Sequence, residues 1–190
     1  SEYITIEMYE SPSDGSPFIY RPSTGFNSWC NPYKLHVSLA SCATLTAGEE
    51  EINNLDVVAD IDVEKEGKLC PQLDKWTQKS YKAVDGINYS YAEYTPKKDD
   101  KKNALVIWLH GAGEGGTDTS IDLLANEVTA MAGDQFQKDM NDAYVIAPQC
   151  PTMWMDGGNG EYQNGDKGSI YAKGLFDLID TYVKNNPDVD

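Results

Sequence analysis

Hydrophobic and polar residues alternate in three stretches of the first third of the chain, at residues 2–10, 33–40 and 55–63. Alternation with a period of two predicts β-strands that bury one face. Runs rich in glycine, proline, serine and asparagine separate the stretches, as turns would. No helical period appears in this region. Residues 1–70 are therefore predicted to form a small all-β module of the sandwich kind.

The pattern changes after residue 70, where two further strands are predicted. Residues 76–82 and 87–94 favour extended structure, and the Asp85-Gly86 pair between them is typical of a tight hairpin turn. We therefore expect an antiparallel hairpin at the start of the second part of the chain.

Apolar runs and helical periods then alternate along the chain. Residues 104–109 (ALVIWL) and 143–148 (AYVIAP) are apolar almost throughout, which indicates strands buried on both faces. Residues 120–132 and 169–183 carry apolar side chains at helical spacing. The order β-α-β-α predicts a parallel sheet with helices packed on it.

Both predicted helices begin at a serine, Ser120 in the first and Ser169 in the second, and serine is a favourable N-cap residue. The side chains expected on the buried face of the first helix are Ile121, Leu124, Ala125, Val128 and Met131. Those expected on the buried face of the second are Ala172, Leu175, Phe176, Ile179 and Val183.

Charge restricts the classes of partner. The 190 residues include 31 acidic and 15 basic side chains, a net charge of -16. This surface favours solubility and repels phosphate groups, so we expect neither nucleic acid nor anionic membranes as partners. No apolar run reaches 18 residues, and the first ten residues lack the features of a signal peptide. The chain starts without Met, so we expect a leader to have been removed or the chain to have been trimmed, and we expect an extracellular or cell-surface location.

Cysteine and histidine bear on metals and redox state. The four cysteines are Cys30, Cys42, Cys70 and Cys150, and the two histidines are His36 and His110. They form neither a C-x-x-C pair nor zinc-finger spacing, so we expect no metal and no cofactor. One or two disulfides would suit an extracytoplasmic setting, with three possible connectivities. Four free buried thiols are the alternative.

The strongest candidate for chemistry is the segment LHGAGEGG at residues 109–116. It directly follows an apolar strand and precedes a helix. Glycines in such a loop let backbone N–H groups turn inward without obstruction by a Cβ atom. N–H groups of this kind stabilise the oxyanion that forms during acyl transfer. The segment is therefore a candidate oxyanion loop.

In these motifs the chain resembles the first half of an α/β-hydrolase catalytic domain, from about Leu73 to Asp190. It is similar to the esterases and polyhydroxybutyrate-depolymerase-like enzymes of the prolyl oligopeptidase type. The resemblance rests on LVIWLHGAGEGG, then AYVIAPQCP, then a helix that ends in NNPDVD. An immunoglobulin-like β module can precede the catalytic domain in such enzymes, and residues 1–70 resemble one. The implied fold is α/β, with the half sheet in residues 71–190.

The resemblance also implies roles for individual residues. The N–H of Ala112 would be one oxyanion donor, with Gly113 as the alternative donor. Gly111 would shape the turn, and His110 would orient the loop without acting as the catalytic base. Trp154 would line the pocket for the acyl or alcohol group.

One departure from that family affects the catalytic residues themselves. The sequence contains no G-x-S-x-G, and Ser169, in Lys167-Gly168-Ser169-Ile170, lacks the required second glycine. In the family the chain order is nucleophile, acid, then histidine. All three would therefore lie beyond Asp190. We expect the remainder of the same hydrolase, as a second chain, to supply them and to cover the exposed sheet edge. A homodimer through that edge is the second choice.

These residues predict part of a serine esterase. We expect this chain to be inactive alone, and the substrate to be an ester, with esters linked to a polysaccharide among the candidates. The alternative is a non-catalytic module that binds carbohydrate or protein, or an inactive fragment.

Gly111, Gly113 and Gly116 also spell a dinucleotide-binding G-x-G-x-x-G, but no acidic residue follows at a strand end, where the ribose would need one. Residues 156–166 favour a flexible loop over a calcium site. Cys150 has no histidine near it in sequence and is expected to be buried or bridged.

Overall fold

The computed structural model describes residues 15–162 and 168–189. Contacts divide the chain into two units. The first contains residues 15–19 and Trp29–Leu69, and the second contains Tyr20–Ser28 together with everything described from Cys70 onward. The predicted strand at residues 2–10 lies outside the described residues.

The first unit contains short antiparallel pairs of strands. Strands β1 (Phe18–Arg21) and β2 (Phe26–Trp29) form a hairpin. Its central part, Tyr20–Ser28, belongs by its contacts to the second unit. Strands β3, β4, β5 and β6 span Tyr33–Ser38, Leu45–Ala47, Glu50–Ile52 and Asp56–Ile61. They pair as β3 with β6 and β4 with β5.

The alternation at residues 33–40 is confirmed, because the side chains of β3 are alternately half-buried and exposed. No residue between 15 and 69 is fully buried among the described residues. Their strands form two-stranded sheets, and an immunoglobulin-like sandwich stays a prediction.

The second unit contains one mixed sheet of four described strands. These are β7 (Thr77–Lys82), β8 (Asn88–Tyr94), β9 (Leu105–Ile107) and β10 (Tyr144–Gln149), in the spatial order β7-β8-β10-β9. The hairpin prediction is confirmed, because β7 pairs antiparallel with β8. Strands β9 and β10 are parallel, as predicted, whereas β10 runs antiparallel to β8.

Helices cover both faces of this sheet. Side chains along β10 alternate between two buried clusters, and every residue of the strand is buried. Tyr144 and Ile146 join the cluster that includes Leu178, on helix α3 (Ala172–Asn185). Val145 and Ala147 join the cluster that includes Leu123, on helix α1 (Thr119–Ala125). The burial of β10 on both faces is therefore confirmed.

The same expectation is wrong for β9. Leu105 and Val106 are only half-buried, and Ile107 is 36% exposed. The physical reason is position in the sheet, since β9 pairs with β10 on one side and lies at the edge of the described sheet. An edge strand has neighbours on one side alone, so an apolar run is not enough to bury it.

The helix predicted at 120–132 is broken. Helix α1 ends at Ala125, and Glu127 adopts a left-handed backbone conformation with φ 53°. A 3-10 helix, Val128–Ala132, and a short helix α2, Asp134–Asp139, follow. A non-glycine residue in the left-handed region interrupts the helical hydrogen bonds, so the predicted helix divides into α1 and the 3-10 helix, and α2 lies beyond its predicted end.

The N-caps also differ from the prediction. Asp118 caps α1, because its Oδ1 accepts a hydrogen bond from the Ser120 N–H at 3.0 Å. Helix α3 begins at Ala172 rather than Ser169, and the Ser169 hydroxyl accepts from the Tyr171 N–H at 3.0 Å. Ser169 thus stabilises the turn before the helix.

The buried face of α3 is rotated from the predicted one. Gly174, Leu178 and Tyr182 form it, whereas Phe176 is 66% exposed and Val183 is 38% exposed. The prediction did not count Gly174 and Tyr182 as apolar positions. Their burial turns the buried face of α3 by about one residue position from the predicted face. No described helix is long and apolar enough to cross a membrane.

Gly174 allows α3 to lie against the β7–β8 hairpin, and this closeness is testable. A Cβ atom there would overlap Asp85 Oδ2 and come within 2.5 Å of the Tyr89 hydroxyl. Alanine is intrinsically better than glycine in a helix by about 1 kcal/mol. We nevertheless expect Gly174→Ala to lower the free energy of unfolding by about 1–3 kcal/mol, because overpacking outweighs propensity. Urea unfolding measures the change. Lys173→Ala, on the exposed side, is the control, and a stabilised Gly174→Ala protein would show that the packing is loose.

Candidate functional site

The glycine-rich loop at residues 109–116 lies where β9 ends, beside the end of β10. His110 is 5% exposed and joins these two segments. Its Nδ1–H donates to the Gly111 carbonyl at 2.8 Å, and its Nε2 accepts from the Cys150 N–H at 3.2 Å. Because Nε2 accepts, the proton lies on Nδ1. Burial lowers the pKa of His110, and the Gly111 carbonyl opposes this only in part, so the ring is neutral.

The structure also places a histidine beside Cys150, which the sequence did not indicate. The Cys150 Sγ lies 3.4 Å from His110 Nε2. Burial raises the pKa of Cys150 to about 12, while that of His110 is lowered. Both shifts favour the neutral thiol and the neutral imidazole over an ion pair. The contact therefore lacks the thiolate that a cysteine nucleophile requires.

The structure contradicts the alternative in which all four thiols are buried. Cys150 is buried and Cys42 is exposed, so four buried thiols is wrong for Cys42. In the part of the chain that the structure describes, Cys30, Cys42 and Cys150 form no disulfide.

Glu114 holds the loop from within and was missed by the sequence analysis. Its side chain is 6% exposed, and Oε2 accepts from the Gly111 N–H at 2.9 Å. Its own carbonyl accepts from the Gln149 side-chain amide at 2.7 Å. A carboxylate is costly to bury unless hydrogen-bonded. An acidic residue within a glycine-rich segment was the available signal.

Ala112 and Gly113 differ in their exposure. Ala112 is exposed and Gly113 is buried. Among the described residues, no acceptor is hydrogen-bonded to either N–H group. The Gly113 carbonyl accepts from the Asn27 N–H at 2.6 Å. Within the described residues both N–H groups are therefore unengaged, and their role as oxyanion donors stays a prediction.

Gly115 is required by close packing. A Cβ atom at this position would overlap the carbonyl of Thr152, in the segment that follows β10. The adjacent Gly116 N–H donates to the Cys150 carbonyl at 2.9 Å. The loop thus lies directly against the chain after β10, which only a residue without a side chain allows.

Trp154 belongs to an aromatic cluster next to His110. Its ring is parallel to Tyr89, with 6.3 Å between centroids, and edge-on to Tyr171 at 6.3 Å. The His110 ring lies 5.5 Å away. Trp154 is half-buried, so the structure brings it close to the loop, and the pocket role stays a prediction.

The acidic segment after Trp154 is organised around Asp156. Its Oδ1 accepts from the N–H groups of Gly158 and Gly160 at 2.7 and 2.9 Å, and Oδ2 accepts from the Thr152 hydroxyl at 2.7 Å. Burial opposes ionisation, but these hydrogen bonds hold the pKa of Asp156 below its usual value. The carboxylate oxygens thus stabilise the loop itself. Residues 163–167 of this segment lie outside the described residues. Where the chain is described, no group of three or more His, Cys, Asp or Glu is placed to hold a metal.

Asp122 is a second buried acid near the loop, and the sequence analysis did not identify it. It is completely buried, and within the described residues neither carboxyl oxygen accepts a hydrogen bond of good geometry; the contact with the Trp108 indole N–H is a weak one. Burial, followed by the charge of Glu114, raises the pKa of Asp122 to about 8, although the Trp108 indole opposes this. Asp122 is therefore protonated at neutral pH.

No known protein-family model and no curated protein matches this sequence. Among solved structures, the chain is similar to a thermostable esterase, with a TM-score of 0.65 and 20% identity over 100% of this chain and 52% of the esterase.

Two weaker likenesses are to the BES protein from Bacillus cereus and the siderophore hydrolase EstB from Aspergillus nidulans. The first has a TM-score of 0.36 and 12% identity, over 62% of this chain and 48% of that protein. The second has 0.34 and 16%, over 62% and 46%.

The sheet order and the similarity to the thermostable esterase define the fold class. The chain has an α/β fold similar to that of part of the thermostable esterase, and at 20% identity the likeness extends to the fold alone. The chain spans about half the length of the esterase that it matches.

The raised pKa of Asp122 predicts a pH dependence of stability. The folded protein keeps this proton up to about pH 8, whereas an unfolded chain releases it near 3.8. The unfolded state therefore binds fewer protons between these values, and stability falls as pH rises, by at most about 1.4 kcal/mol per pH unit. We expect Asp122→Asn to remove this component. Urea unfolding at pH 5, 6 and 7 measures it, with the exposed Asp180→Asn as control. Equal slopes for the wild type and Asp122→Asn would contradict the assignment.

The state of Cys150 predicts slow alkylation. We expect iodoacetamide at pH 8 to modify Cys150 in the folded protein about 100-fold or more slowly than Cys42, because burial suppresses both the thiolate and access to it. Peptide mass spectrometry over a time course gives both rates in one sample. Comparable rates would indicate that Cys150 is accessible and ionised.

Proposed function

We propose that this chain forms half of a serine esterase and supplies the oxyanion loop and part of the substrate pocket. The observation that carries the proposal is the pair of unengaged N–H groups of Ala112 and Gly113 at the end of β9. Ligand sites in α/β sheets form at the carboxyl ends of parallel strands, and β9 and β10 are parallel. The likeness of the fold to an esterase supports the same function.

The proposed reaction is hydrolysis of a carboxylic ester through an acyl-enzyme. A serine hydroxyl attacks the carbonyl carbon and gives its proton to a histidine, and the carbonyl oxygen becomes an oxyanion. The Ala112 and Gly113 N–H groups donate to that oxyanion. The histidine then protonates the departing alcohol. Water attacks the acyl-enzyme in the same way, which releases the acid and restores the serine.

The base and nucleophile are assigned to residues outside this chain. His110 is neutral and buried, with both ring nitrogens engaged. His36 is exposed on β3 in the first unit, where it pairs with Asp56 at 2.5 Å. The sequence has no G-x-S-x-G. We therefore assign the serine, the acid and the catalytic histidine to the remainder of the same hydrolase.

The proposed position of that remainder is the exposed edge of β9. Ile107 and Leu109 are exposed there, and Phe176 is exposed on α3. Unpaired edges and apolar side chains favour association, and the matched esterase has a further 48% of chain outside the match, since only 52% is covered. A homodimer through this edge is the competing arrangement. An extracellular or cell-surface location and an ester linked to polysaccharide remain part of the proposal.

A non-catalytic carbohydrate-binding function is less well supported. Trp29, an aromatic residue that could contact a sugar, packs against Phe18 with ring centroids 4.6 Å apart and has the Lys68 ammonium 4.7 Å from its ring centroid. A ring engaged in this way offers less surface to a sugar.

Mass spectrometry under denaturing, reducing conditions, combined with a serine-reactive phosphonate, tests the proposal. We expect a second polypeptide beside the 21.0 kDa chain, labelled by the phosphonate, and ester hydrolysis that labelling abolishes. Preincubation with a non-hydrolysable phosphonamide of the same shape is the control. A monodisperse 21.0 kDa sample with neither label nor hydrolysis would leave the esterase proposal without support and would favour the binding or inactive alternative.

A further inference from the structure

We propose that Asn27, on the β1–β2 hairpin, is a positioning residue for the oxyanion loop. This inference rests on the proposed function. Asn27 lies in Tyr20–Ser28, the segment that belongs to the second unit although it comes from the N-terminal part of the chain. It acts on the loop through Glu114 and Gly113 and does not itself touch the substrate.

Two hydrogen bonds join Asn27 to the loop. Its backbone N–H donates to the Gly113 carbonyl at 2.6 Å, and its side-chain Nδ2 donates to Glu114 Oε1 at 3.2 Å. The other oxygen of the same carboxylate, Oε2, accepts from the Gly111 N–H at 2.9 Å. The loop is therefore held at Gly111 and at Gly113, on the two sides of Ala112.

These hydrogen bonds affect the direction in which the N–H groups of Ala112 and Gly113, the proposed oxyanion donors, point. The N–H groups of Ala112 and Gly113 belong to the two peptide units that lie between the fixed Gly111 N–H and the fixed Gly113 carbonyl. Fixing both ends restricts rotation of those units. Oxyanion donors are effective when they are held in place before the reaction, without reorganisation, so the clamp would contribute to the rate of the chemical step.

Burial makes the Asn27 side chain important for Glu114. The carboxylate is 6% exposed, and hydrogen bonds to a buried charge are stronger than those between neutral groups. Loss of the Nδ2 donor would leave Oε1 buried without this partner. The carboxylate would then turn toward another donor or toward water, and its hold on the Gly111 N–H would weaken.

The neighbouring residue offers a matched control. Ser28 lies next to Asn27 on β2, and its hydroxyl accepts from Arg21 Nε at 2.7 Å in an exposed bond within the hairpin. Ser28→Ala removes a side-chain hydrogen bond of the same hairpin without touching the loop. Asn27→Asp keeps the shape of the side chain but removes the donor, and Asn27→Gln keeps an amide donor.

Hydrogen exchange gives a test that needs no activity. We expect Asn27→Ala and Asn27→Asp to accelerate exchange of the Gly111 amide, which is bonded to Glu114, about tenfold, with Ser28→Ala like the wild type and Asn27→Gln between them. The thermal midpoint reports any general loss of stability. Equal exchange in Asn27→Ala and Ser28→Ala overturns the proposal, whether or not the protein hydrolyses esters.

Kinetics of the assembled enzyme gives the second test. We expect Asn27→Ala to lower kcat for a p-nitrophenyl ester about tenfold or more with KM changed less than about twofold, because misplaced donors affect the transition state more than ground-state binding. Unchanged kcat despite faster loop exchange overturns the positioning role. The wild type could hydrolyse no ester while Asn27→Ala, but not Ser28→Ala, accelerates loop exchange. That result would support the structural contact between Asn27 and the loop, and the esterase proposal would fail.

Discussion

The burial of β10 is the constraint on which the second unit depends. Each of its side chains is covered, on one face by α3 and on the other by the segment containing α1. The residues at and after its carboxyl end then bind the glycine-rich loop. Gln149 donates to Glu114, Cys150 donates to His110, and the carbonyl of Cys150 accepts from Gly116. A strand that cannot shift in the core thus fixes the loop at three points.

The two buried acids near the loop, Glu114 and Asp122, differ in their hydrogen bonding. Glu114 has a hydrogen-bond donor for each carboxylate oxygen, whereas Asp122 accepts no hydrogen bond of good geometry among the described residues and is held protonated by burial. The charge of Glu114 is one cause of the raised pKa of Asp122. Two ionised carboxylates would repel each other in this environment. Charge at Glu114 is therefore compatible with the fold because Asp122 stays neutral.

Local patterns predicted the local elements well. The apolar run at β10 and the Asp85-Gly86 hairpin were both recognised, because periodicity and turn chemistry act over a few residues. Errors arose where tertiary packing decides. The edge position of β9 depends on which strands pair with it, and the buried face of α3 depends on Gly174, whose packing value is invisible without its neighbours.

The candidate site was only partly predictable for the same reason. The segment 109–116 was recognised from glycine spacing and its position between strand and helix. Its contact with Asn27 joins residues separated by 87 positions in the chain, and no periodic or motif signal spans that distance. Asp122 was missed because acids on helices are normally assigned to the solvated side. The Cys150–His110 contact likewise exists only once β9 and β10 are paired.

The path of the chain through Tyr20–Ser28 affects how the protein can be divided. The composition suggests a cut near residue 70, with a leading module that could be exchanged as a cassette. The central part of the β1–β2 hairpin lies before residue 70 in the chain, but by its contacts it belongs to the same unit as the residues from Cys70 onward. Modular recombination at residue 70 would remove a structural part of the second unit along with the first. Gene fusion or swapping of the leading module would succeed only if the incoming module carried an equivalent hairpin.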